Sequence, residues 1–432
     1  MDLNMDSDFN SVEYRRSRGS YMAQCTIEYM ISLLVTDVFL AKLLTSIGIS
    51  DAISGIISSF IALAFVMQLF SIVLMKTKFS IKKMIISFDT LSIFFFMFIF
   101  LVPLMPVSQT IKQIMVVIGI LVAYAGKYLI LSMCFKWANE YVDPYKRAVY
   151  SAKKEMISLF VGMIFTLIIG YIIDEFEKVS NLNGAFLFIA VSILILNICN
   201  FVCLAMIKKE VPKNHKECEI SLKDVLNNTV FNKSFKNIII LTVLWDVARY
   251  FTLGFMGVFK TNSLMMSMVL VQIINVVANI MRLLISIPFG KYSDKTSFAK
   301  GYKLALCVAA TAFFVNIFTT NDRWWLVIVF TVLFNCSYAG LNQNSFNITY
   351  NYVDSKYITQ AMAVKNCIGG ICGFIASIVG GKVLDIIQSN GNVFLGINIY
   401  GQQIMSVVSF AITVSAILFV HFVIEKQTIK KQ

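Results

Sequence analysis

The chain has 432 residues, of which 58% are hydrophobic and 14% are charged, and its mean hydropathy is +0.76. Soluble domains are close to half apolar and a quarter charged, so this composition excludes an ordinary soluble protein and indicates many membrane-spanning segments. The formal net charge is +13, and a strongly basic protein can be a nucleic-acid binder. Nine cysteines are scattered without paired spacing, which predicts neither a disulfide framework nor a metal site.

Apolar segments long enough to cross a hydrocarbon core of about 30 Å, which takes roughly 20 helical residues, recur along the whole chain. Helices are expected because lipid cannot satisfy backbone hydrogen bonds. The segments are 24–45, 53–75, 84–105, 112–136, 152–173, 184–207, 237–259, 265–288, 302–319, 324–347, 360–384 and 401–424. The sequence therefore predicts an all-α membrane protein with twelve transmembrane helices. Its predicted parts are a tail at 1–23, a six-helix bundle at 24–207, a linker at 208–236, a second bundle at 237–424 and a tail at 425–432.

Basic residues are distributed unevenly between the predicted loops. With the N-terminus inside, inside segments hold 27 of the 37 Lys and Arg residues, and outside loops hold four. Cytoplasmic loops carry such an excess, so both termini are predicted to face the cytoplasm. This bias accounts for most of the net charge, and no nucleic-acid partner is expected.

One stretch occurs twice, once in each predicted bundle. Residues 141–174 and 352–385 align without a gap at an offset of 211, and ten of the 34 positions are identical. Tyr141 matches Tyr352, and Gly162 matches Gly373. Internal repeats of this kind indicate duplicated structural units. Two six-helix halves in one orientation form a parallel repeat about an axis along the membrane normal.

The loop predicted after Pro288 contains Gly290, Asp294 and Lys295. With twelve spans and the repeat, this G-x-x-x-D-(R/K) pattern resembles the loop signature of the major facilitator superfamily of secondary transporters. The corresponding first-half loop, 76–83, is basic but lacks the Gly and the Asp. The resemblance implies alternating access and a gating role for the three motif residues. It also implies a central cavity lined by the first, fourth, seventh and tenth predicted spans, 24–45, 112–136, 237–259 and 324–347.

Ionisable residues inside a span cost roughly 2.5–3.5 kcal/mol each, so they need partners or a wet cavity. The candidates for ion coupling are Asp37, Lys127, Asp246, Arg249 and Arg282. Asp37 and Lys127 are predicted to pair, with Asp37 as the deep carboxylate of the first half; a fixed structural ion pair is the alternative. Asp246 and Arg249, three residues apart, share a helix face, and Asp246 is expected to neutralise Arg249 or Arg282.

Two other ionisable residues, Glu28 and Lys365, are expected to be ordinary residues near the cytoplasmic helix ends. Uncharged polar residues instead form stripes at spacings of three and four, which put them on one helix face. The fourth, eighth and tenth predicted spans, 112–136, 265–288 and 324–347, carry these stripes. The repeat offset of 211 maps Lys127 onto Tyr338. The predicted substrate-binding residues are Tyr124, Tyr128, Gln272, Asn275, Asn279, Asn335, Tyr338 and Asn342. Polar contacts between packed membrane helices are the alternative for these stripes.

Together these patterns favour a secondary transporter of the plasma membrane that imports a small polar solute. Carboxamides offer donors and acceptors, and aromatic rings offer stacking faces, which favours a sugar or glycoside; nucleosides and amino acids are alternatives. No G-x-x-x-x-G-K-(S/T) phosphate loop occurs, so coupling to a proton or sodium ion is expected, in a monomer without a cofactor. The rival interpretations are an exporter of amphipathic compounds, a transporter-like sensor or assembly partner and, least favoured, an enzyme.

Overall fold

The computed structural model describes residues 11–74, 80–139, 141–142, 147–208, 232–353, 357–394 and 396–426. Contacts divide the chain into two compact units. The first unit comprises Met1–Gly48 and Met67–Lys216, and the second comprises Ile49–Val66 and Glu217–Gln432. Residues 49–66, assigned to the first bundle from the sequence, thus group with the second unit. Most of the predicted linker and the C-terminal tail beyond 426 lie outside the described residues.

Helices make up nearly all of both units, which confirms the predicted all-α membrane fold. In chain order they are α1 (Val12–Leu34), α2 (Asp37–Ser46), α3 (Asp51–Ser58), α4 (Phe60–Ala64), α5 (Met67–Leu74), α6 (Ile81–Leu101), α7 (Gln109–Asn139), α8 (Arg147–Lys178), α9 (Leu182–Met206), α10 (Lys233–Thr252), α11 (Met256–Val258), α12 (Met268–Lys295), α13 (Phe298–Asn316), α14 (Leu326–Tyr352), α15 (Ile358–Ser389) and α16 (Gly401–Phe419). A short antiparallel hairpin, β1 (Val393–Phe394) with β2 (Ile397–Asn398), joins α15 to α16.

Within the described residues, eleven helical stretches are long and apolar enough to cross a membrane. Three predicted spans are built from more than one helix: α1 with α2, α3 to α5, and α10 with α11. The first predicted span, 24–45, is the one missing from the eleven, because polar α1 is interrupted before apolar α2 begins. Eleven long stretches and this interrupted first span make up the twelve transmembrane helices, six in each repeat.

The first helix begins twelve residues earlier than hydropathy predicts. The Ser11 side chain accepts a hydrogen bond from the backbone N–H of Tyr14 at 3.3 Å, which caps the helix that starts at Val12. Part of the predicted tail at 1–23 is therefore helical. Hydropathy marks where a segment crosses lipid, whereas the cap decides where the helix starts.

A break between α1 and α2 places Asp37 at a helix start. Asp37 has a φ of +47°, a region that few residues other than Gly adopt but that Asp tolerates. Its carboxylate lies in the first turn of α2, where the helix dipole favours negative charge. The carbonyl of Val35, at the break, accepts a hydrogen bond from the Tyr124 hydroxyl at 3.3 Å.

The predicted gating loop is helical, which corrects the sequence interpretation. Gly290, Asp294 and Lys295 form the last turns of α12, which also contains Pro288. Only two residues separate α12 from α13. A Cβ at the buried Gly290 would lie 3.0 Å from the side-chain nitrogen of Gln343, so this glycine allows α14 to approach α12 closely.

The first unit buries an apolar cluster between α1, α6, α7 and α9. Its buried members are Tyr21, Met84, Ile85, Ile130, Met133, Trp137, Tyr141, Leu204 and Ile207. The repeat residue Tyr141 thus belongs to the core of its unit.

Polar contacts of Tyr141 connect the ends of three helices. Its hydroxyl donates to the carbonyl of Lys208 at 2.6 Å and accepts from the Trp137 indole N–H at 3.2 Å. Its own carbonyl accepts from the Arg18 guanidinium at 2.9 Å. In the second unit, the matching Tyr352 is equally buried, at 5% exposure against 2% for Tyr141. The repeat therefore preserves the burial of this tyrosine as well as its identity.

The substitution Tyr141→Phe is expected to lower the free energy of unfolding by about 0.5–1.5 kcal/mol, the typical contribution of one hydrogen bond. The loss stays small because the Trp137 indole also donates to the Lys208 carbonyl, at 3.3 Å. Unfolding in detergent measures it. Tyr171→Phe is the control, since Tyr171 is 59% exposed, and equal losses in the two variants would contradict the role of the Tyr141 hydroxyl.

Residues 49–66 contact the rest of the second unit through glycines and one carboxylate. A Cβ at Gly254 would lie 2.5 Å from the carbonyl oxygen of Gly55. At the start of α3, the Asp51 carboxylate accepts hydrogen bonds from Asn262 at 2.7 Å and from Gln388 at 3.0 Å. Small residues thus bring backbones together, as is common between packed membrane helices.

Candidate functional site

The second unit contains a buried ion pair within α10. Asp246 and Arg249 lie three residues apart, and Arg249 Nε is 3.0 Å from Asp246 Oδ1. Their side chains are only 7% and 16% exposed, respectively. Buried charges need such partners, so Asp246 neutralises Arg249 as its spacing predicts.

Two tyrosines complete the surroundings of Arg249. Its guanidinium donates to the Tyr338 hydroxyl on α14 at 3.3 Å and to the Tyr250 hydroxyl at 3.0 Å. It also lies over the Tyr250 ring, 4.4 Å from the ring centroid, within range of a cation–π interaction. One carboxylate and two hydroxyls fix the orientation of Arg249 and connect it to Tyr338, a predicted substrate-binding residue.

Three aromatic residues beside the ion pair form a cluster that we call the aromatic wall: Trp245, Phe334 and Tyr338. The rings of Trp245 and Phe334 stack at 6.0 Å with an interplanar angle of 18°. The Tyr338 ring meets Trp245 at 6.2 Å and Phe334 at 5.1 Å, edge-on in both cases. Ligand sites combine aromatic surfaces with a few placed polar groups, as here. The sequence analysis missed Trp245, although its position next to Asp246 could have indicated it.

Lys365 lies deep in the second unit, which corrects its interpretation as an ordinary residue at a helix end. It is 3% exposed, and its ammonium donates to Ser345 at 2.9 Å and Thr349 at 3.4 Å. It also interacts electrostatically with Asp246. Its neighbours on other helices, Ser345 and Thr349 on α14 and Asp246 on α10, account for this burial.

Glycines on α15 make room for the ion pair. A Cβ at Gly369 would overlap the Asp246 carboxylate, and one at Gly373 would lie 2.5 Å from the Tyr250 ring. In the first unit, a Cβ at Gly162 would lie 2.5 Å from the Tyr29 ring on α1. The matched glycines, Gly162 and Gly373, thus each receive a tyrosine ring from the first long helix of their own unit.

The predicted stripe on α12 is partly buried. Gln272 is 3% exposed and accepts a hydrogen bond from the Asn275 amide at 3.5 Å. Asn279 and Arg282 are half-buried further along the same helix. Their substrate and coupling roles stay predictions.

The stripe on α14 splits between several environments. The Asn335 amide donates to the Thr331 carbonyl of its own helix at 2.9 Å, Tyr338 contacts Arg249, and Asn342 is exposed. The structure brings Tyr338 together with the predicted coupling pair Asp246–Arg249. The binding roles of Asn335 and Asn342 stay predictions.

In the first unit, Lys127 on α7 pairs with Glu28 on α1, and the Nζ–Oε2 distance is 3.7 Å. The side chains of Lys127 and Glu28 are 18% and 22% exposed. This corrects the predicted pairing of Lys127 with Asp37. Since α1 begins at Val12, Glu28 lies more than four turns after the start of the helix rather than beside that start. On α7, Tyr124 is buried and Tyr128 is half-buried.

A further carboxylate of the first unit, Asp89 on α6, was missed. Asp89 is fully buried, and its Oδ2 accepts a hydrogen bond from the Asn200 amide on α9. Among the described residues, its Oδ1 has no hydrogen-bond partner. The Glu28 carboxyl group lies beside Asp89, close enough for electrostatic and hydrogen-bonding interaction. Asp37 is therefore not the only deep carboxylate of the first half; Asp89 inside the apolar segment 84–105 was the available signal.

One matched pair of positions in the repeat contacts an ionisable residue in each unit. This pair is Lys127 and Tyr338, which align at the offset of 211. Lys127 contacts Glu28 on the first long helix of its unit, and Tyr338 contacts Arg249 on the first long helix of the other unit.

The described parts of the chain contain no group of three or more His, Cys, Asp or Glu residues that could hold a metal ion.

Twelve membrane-spanning helices in two repeats, with ionisable side chains inside the spans, are typical of a membrane transporter, since such residues mark substrate and ion pathways. The model of the Major Facilitator Superfamily matches residues 21–377, and the chain belongs to this family. It is therefore a multi-pass membrane protein that transports a small-molecule substrate, and family membership implies a transporter rather than an enzyme. A comparison with curated proteins found no match.

Solved structures with the same fold include transporters of different substrates. A bacterial homologue of the human lysosomal transporter Spinster, inward-facing and unoccupied, has a TM-score of 0.70 and 14% identity, covering 98% of this chain and all of that one. The nucleoside transporter NupG has a TM-score of 0.68 and 12% identity, covering 97% of this chain and all of that one. A D-xylose-proton symporter has a TM-score of 0.66 and 12% identity, covering 93% of this chain and 95% of that one. At these identities the likeness establishes the fold alone.

Proposed function

We propose that this protein is a secondary active transporter that imports a small polar solute by alternating access in proton- or cation-coupled symport. A sugar or glycoside is the favoured substrate. The positive-inside bias supports a plasma-membrane orientation with both termini in the cytoplasm, and a monomer suffices because each chain carries both repeats.

The observation that carries the substrate proposal is the aromatic wall beside the Asp246–Arg249 pair. The Trp245 ring, stacked on Phe334 and 6% exposed, supplies apolar surface, while Arg249 and the Tyr338 hydroxyl supply polar groups that can hydrogen-bond to hydroxyl groups. Sugar rings present both kinds of surface, apolar C–H faces and polar edges. Two of the structures with this fold belong to a nucleoside transporter and a D-xylose-proton symporter, which fits a substrate of this chemistry.

The second candidate is an exporter of amphipathic compounds. Its support is the composition, with 37 Phe and 21 Met residues, because Met side chains adapt to varied apolar ligands. Fixed polar groups such as Arg249, held by three partners, favour a defined polar substrate instead.

A binding screen with the purified full chain separates the two candidates. We expect sugars or glycosides to raise its melting temperature, because a ligand that binds only the folded state stabilises it. Nucleosides, amino acids and amphipathic dyes are the comparison ligands, and uptake of each hit into proteoliposomes follows. Stabilisation by dyes alone, with dye transport, would replace the importer by the exporter.

The substitution Trp245→Leu is expected to weaken the apparent affinity for the transported solute about tenfold, which corresponds to about 1.4 kcal/mol. Leu stays apolar but removes the stacking face. The measurement is the KM of uptake, corrected for the amount of folded protein. Trp325→Leu is the matched control, since Trp325 is 51% exposed. A KM shift of the same size in both variants would remove the aromatic wall from the site.

A further inference from the structure

Two carboxyl groups and one cation meet inside the first unit. Glu28 on α1 lies 3.7 Å from Lys127 on α7 and also beside Asp89 on α6. Asp89 has no exposed surface at all. With both carboxylates ionised, this group of three carries a net charge of −1 in an apolar interior. One bound proton makes the group neutral, and neutrality is strongly favoured where water cannot solvate the charge.

The hydrogen bonds of the group are also incomplete without a proton. Asn200 donates its amide to Asp89 Oδ2, while Asp89 Oδ1 and Asn200 Oδ1 are both buried without a partner among the described residues. An ionised carboxylate only accepts hydrogen bonds, whereas a protonated one also donates. A proton on Asp89 Oδ1 would therefore turn one of these partnerless oxygens into a donor, which can hydrogen-bond to the Glu28 carboxylate.

The surroundings contain few other charges. The polar and titratable side chains that face the pair from neighbouring helices are Tyr21 and Cys25 on α1, Lys127 and Cys134 on α7, and Asn200 on α9. From α8, Lys154 lies over the Tyr21 ring at 5.2 Å. Lys127 is thus the cation that contacts the pair directly, and Lys154 is the next one.

We propose that Glu28 and Asp89 together form the proton-binding site of this transporter. A proton from water adds to one carboxylate oxygen of Asp89, which then donates a hydrogen bond to the Glu28 carboxylate. The same proton leaves as a proton, so no electrons move. Lys127 competes with that proton for Glu28. A conformational change that alters the Lys127–Glu28 distance therefore alters the proton affinity, as coupling requires.

This proposal rests on the proposed function of coupled transport, and it assigns proton binding to Asp89, with Glu28 as its hydrogen-bond acceptor, rather than to Asp37. It applies to the first unit alone. In the second unit, by contrast, Asp246 lies 3.0 Å from Arg249 in an ion pair within one helix.

Infrared spectroscopy of the purified full chain tests the site without transport. We expect a C=O stretching band of a buried carboxylic acid whose intensity falls as pH rises, and its loss in both Asp89→Asn and Glu28→Gln. Glu175→Gln is the matched control, because that carboxylate is 44% exposed and pairs with Lys178 on the surface. Absence of the band in the wild type, or its persistence in both pair variants, would overturn the proposal. Melting temperatures identify a variant that fails to fold, and the other then decides.

Transport by the protein reconstituted into proteoliposomes distinguishes a failure of this proposal from a failure of the proposed function. The readout is the ratio of accumulation driven by a pH gradient to substrate exchange at equal pH. We expect Asp89→Asn to lower this ratio at least about tenfold and Glu175→Gln to leave it unchanged. An unchanged ratio in Asp89→Asn would refute the coupling role of the pair. A wild type that exchanges no polar solute at all would refute the proposed function, while the infrared band would still report the proton site.

Discussion

Replacing Arg249 with Leu is expected to destabilise the protein by about 3–5 kcal/mol and to abolish transport, because it leaves a buried carboxylate without its ion-pair partner. Asp246 is only 7% exposed and lies 3.0 Å from Arg249. Lys365 compensates little, since its ammonium is already held by Ser345 and Thr349. Thermal or chemical unfolding in detergent measures the loss of stability.

The double variant Arg249→Leu with Asp246→Leu distinguishes a structural pair from a functional one. Replacing both members of a buried pair by apolar residues is often neutral, so most of the lost stability is expected to return. Transport is expected to stay absent, because the guanidinium that orients Tyr338 is gone. A stable double variant that transports at the wild-type rate would make the pair purely structural.

A surface pair supplies the control for that experiment. Lys178 and Glu175 lie 2.6 Å apart with side chains 68% and 44% exposed, and exposed pairs contribute about 0–1 kcal/mol. Lys178→Leu is therefore expected to change stability very little. If Arg249→Leu melts as Lys178→Leu does, the Asp246–Arg249 pair is hydrated and the argument from burial fails.

The sequence predicted the fold because long apolar runs and a gapless repeat are direct signatures of membrane helices and of duplication. Lys127 and Tyr338, matched from the offset alone, each contact an ionisable residue on the first long helix of their own unit. The residues at which helices begin were harder to predict. The Ser11 cap and the break before Asp37 depend on local backbone geometry, which an average of hydropathy over a window does not report.

The errors at the site have different causes. Glu28 was interpreted as a residue near a helix end because the first helix was predicted to begin at 24, whereas it begins at Val12. Lys365 was interpreted in the same way, but its burial comes from neighbours on another helix, Ser345 and Thr349. Asp89 was missed because one carboxylate hardly lowers the mean hydropathy of its segment. Partners on other helices, such as Asn200 for Asp89, cannot be found without tertiary contacts.

The close approach of α3 to Gly254 within the second unit leads to the other large expected effect. Gly254→Val is expected to destabilise the protein by about 1–3 kcal/mol or more through overpacking. A Cβ there would lie 2.5 Å from the Gly55 carbonyl oxygen and 2.6 Å from the Ser59 hydroxyl. A backbone oxygen cannot move aside as a flexible side chain can, so α3 itself has to shift.

A graded series makes this expectation specific. Gly254→Ala should cost less than Gly254→Val, since the second adds two methyl groups at the same contact. Gly19→Ala is the matched control: Gly19 is an exposed residue within α1, and nothing lies within 4 Å of its added Cβ. Ala exceeds Gly in helix propensity by up to about 1 kcal/mol, so this variant should keep or gain stability. Melting temperatures in detergent rank the three proteins. Equal values for Gly254→Val and the wild type would mean that α3 does not pack against this turn in the purified protein, and that residues 49–66 belong with the first unit, as the sequence analysis expected.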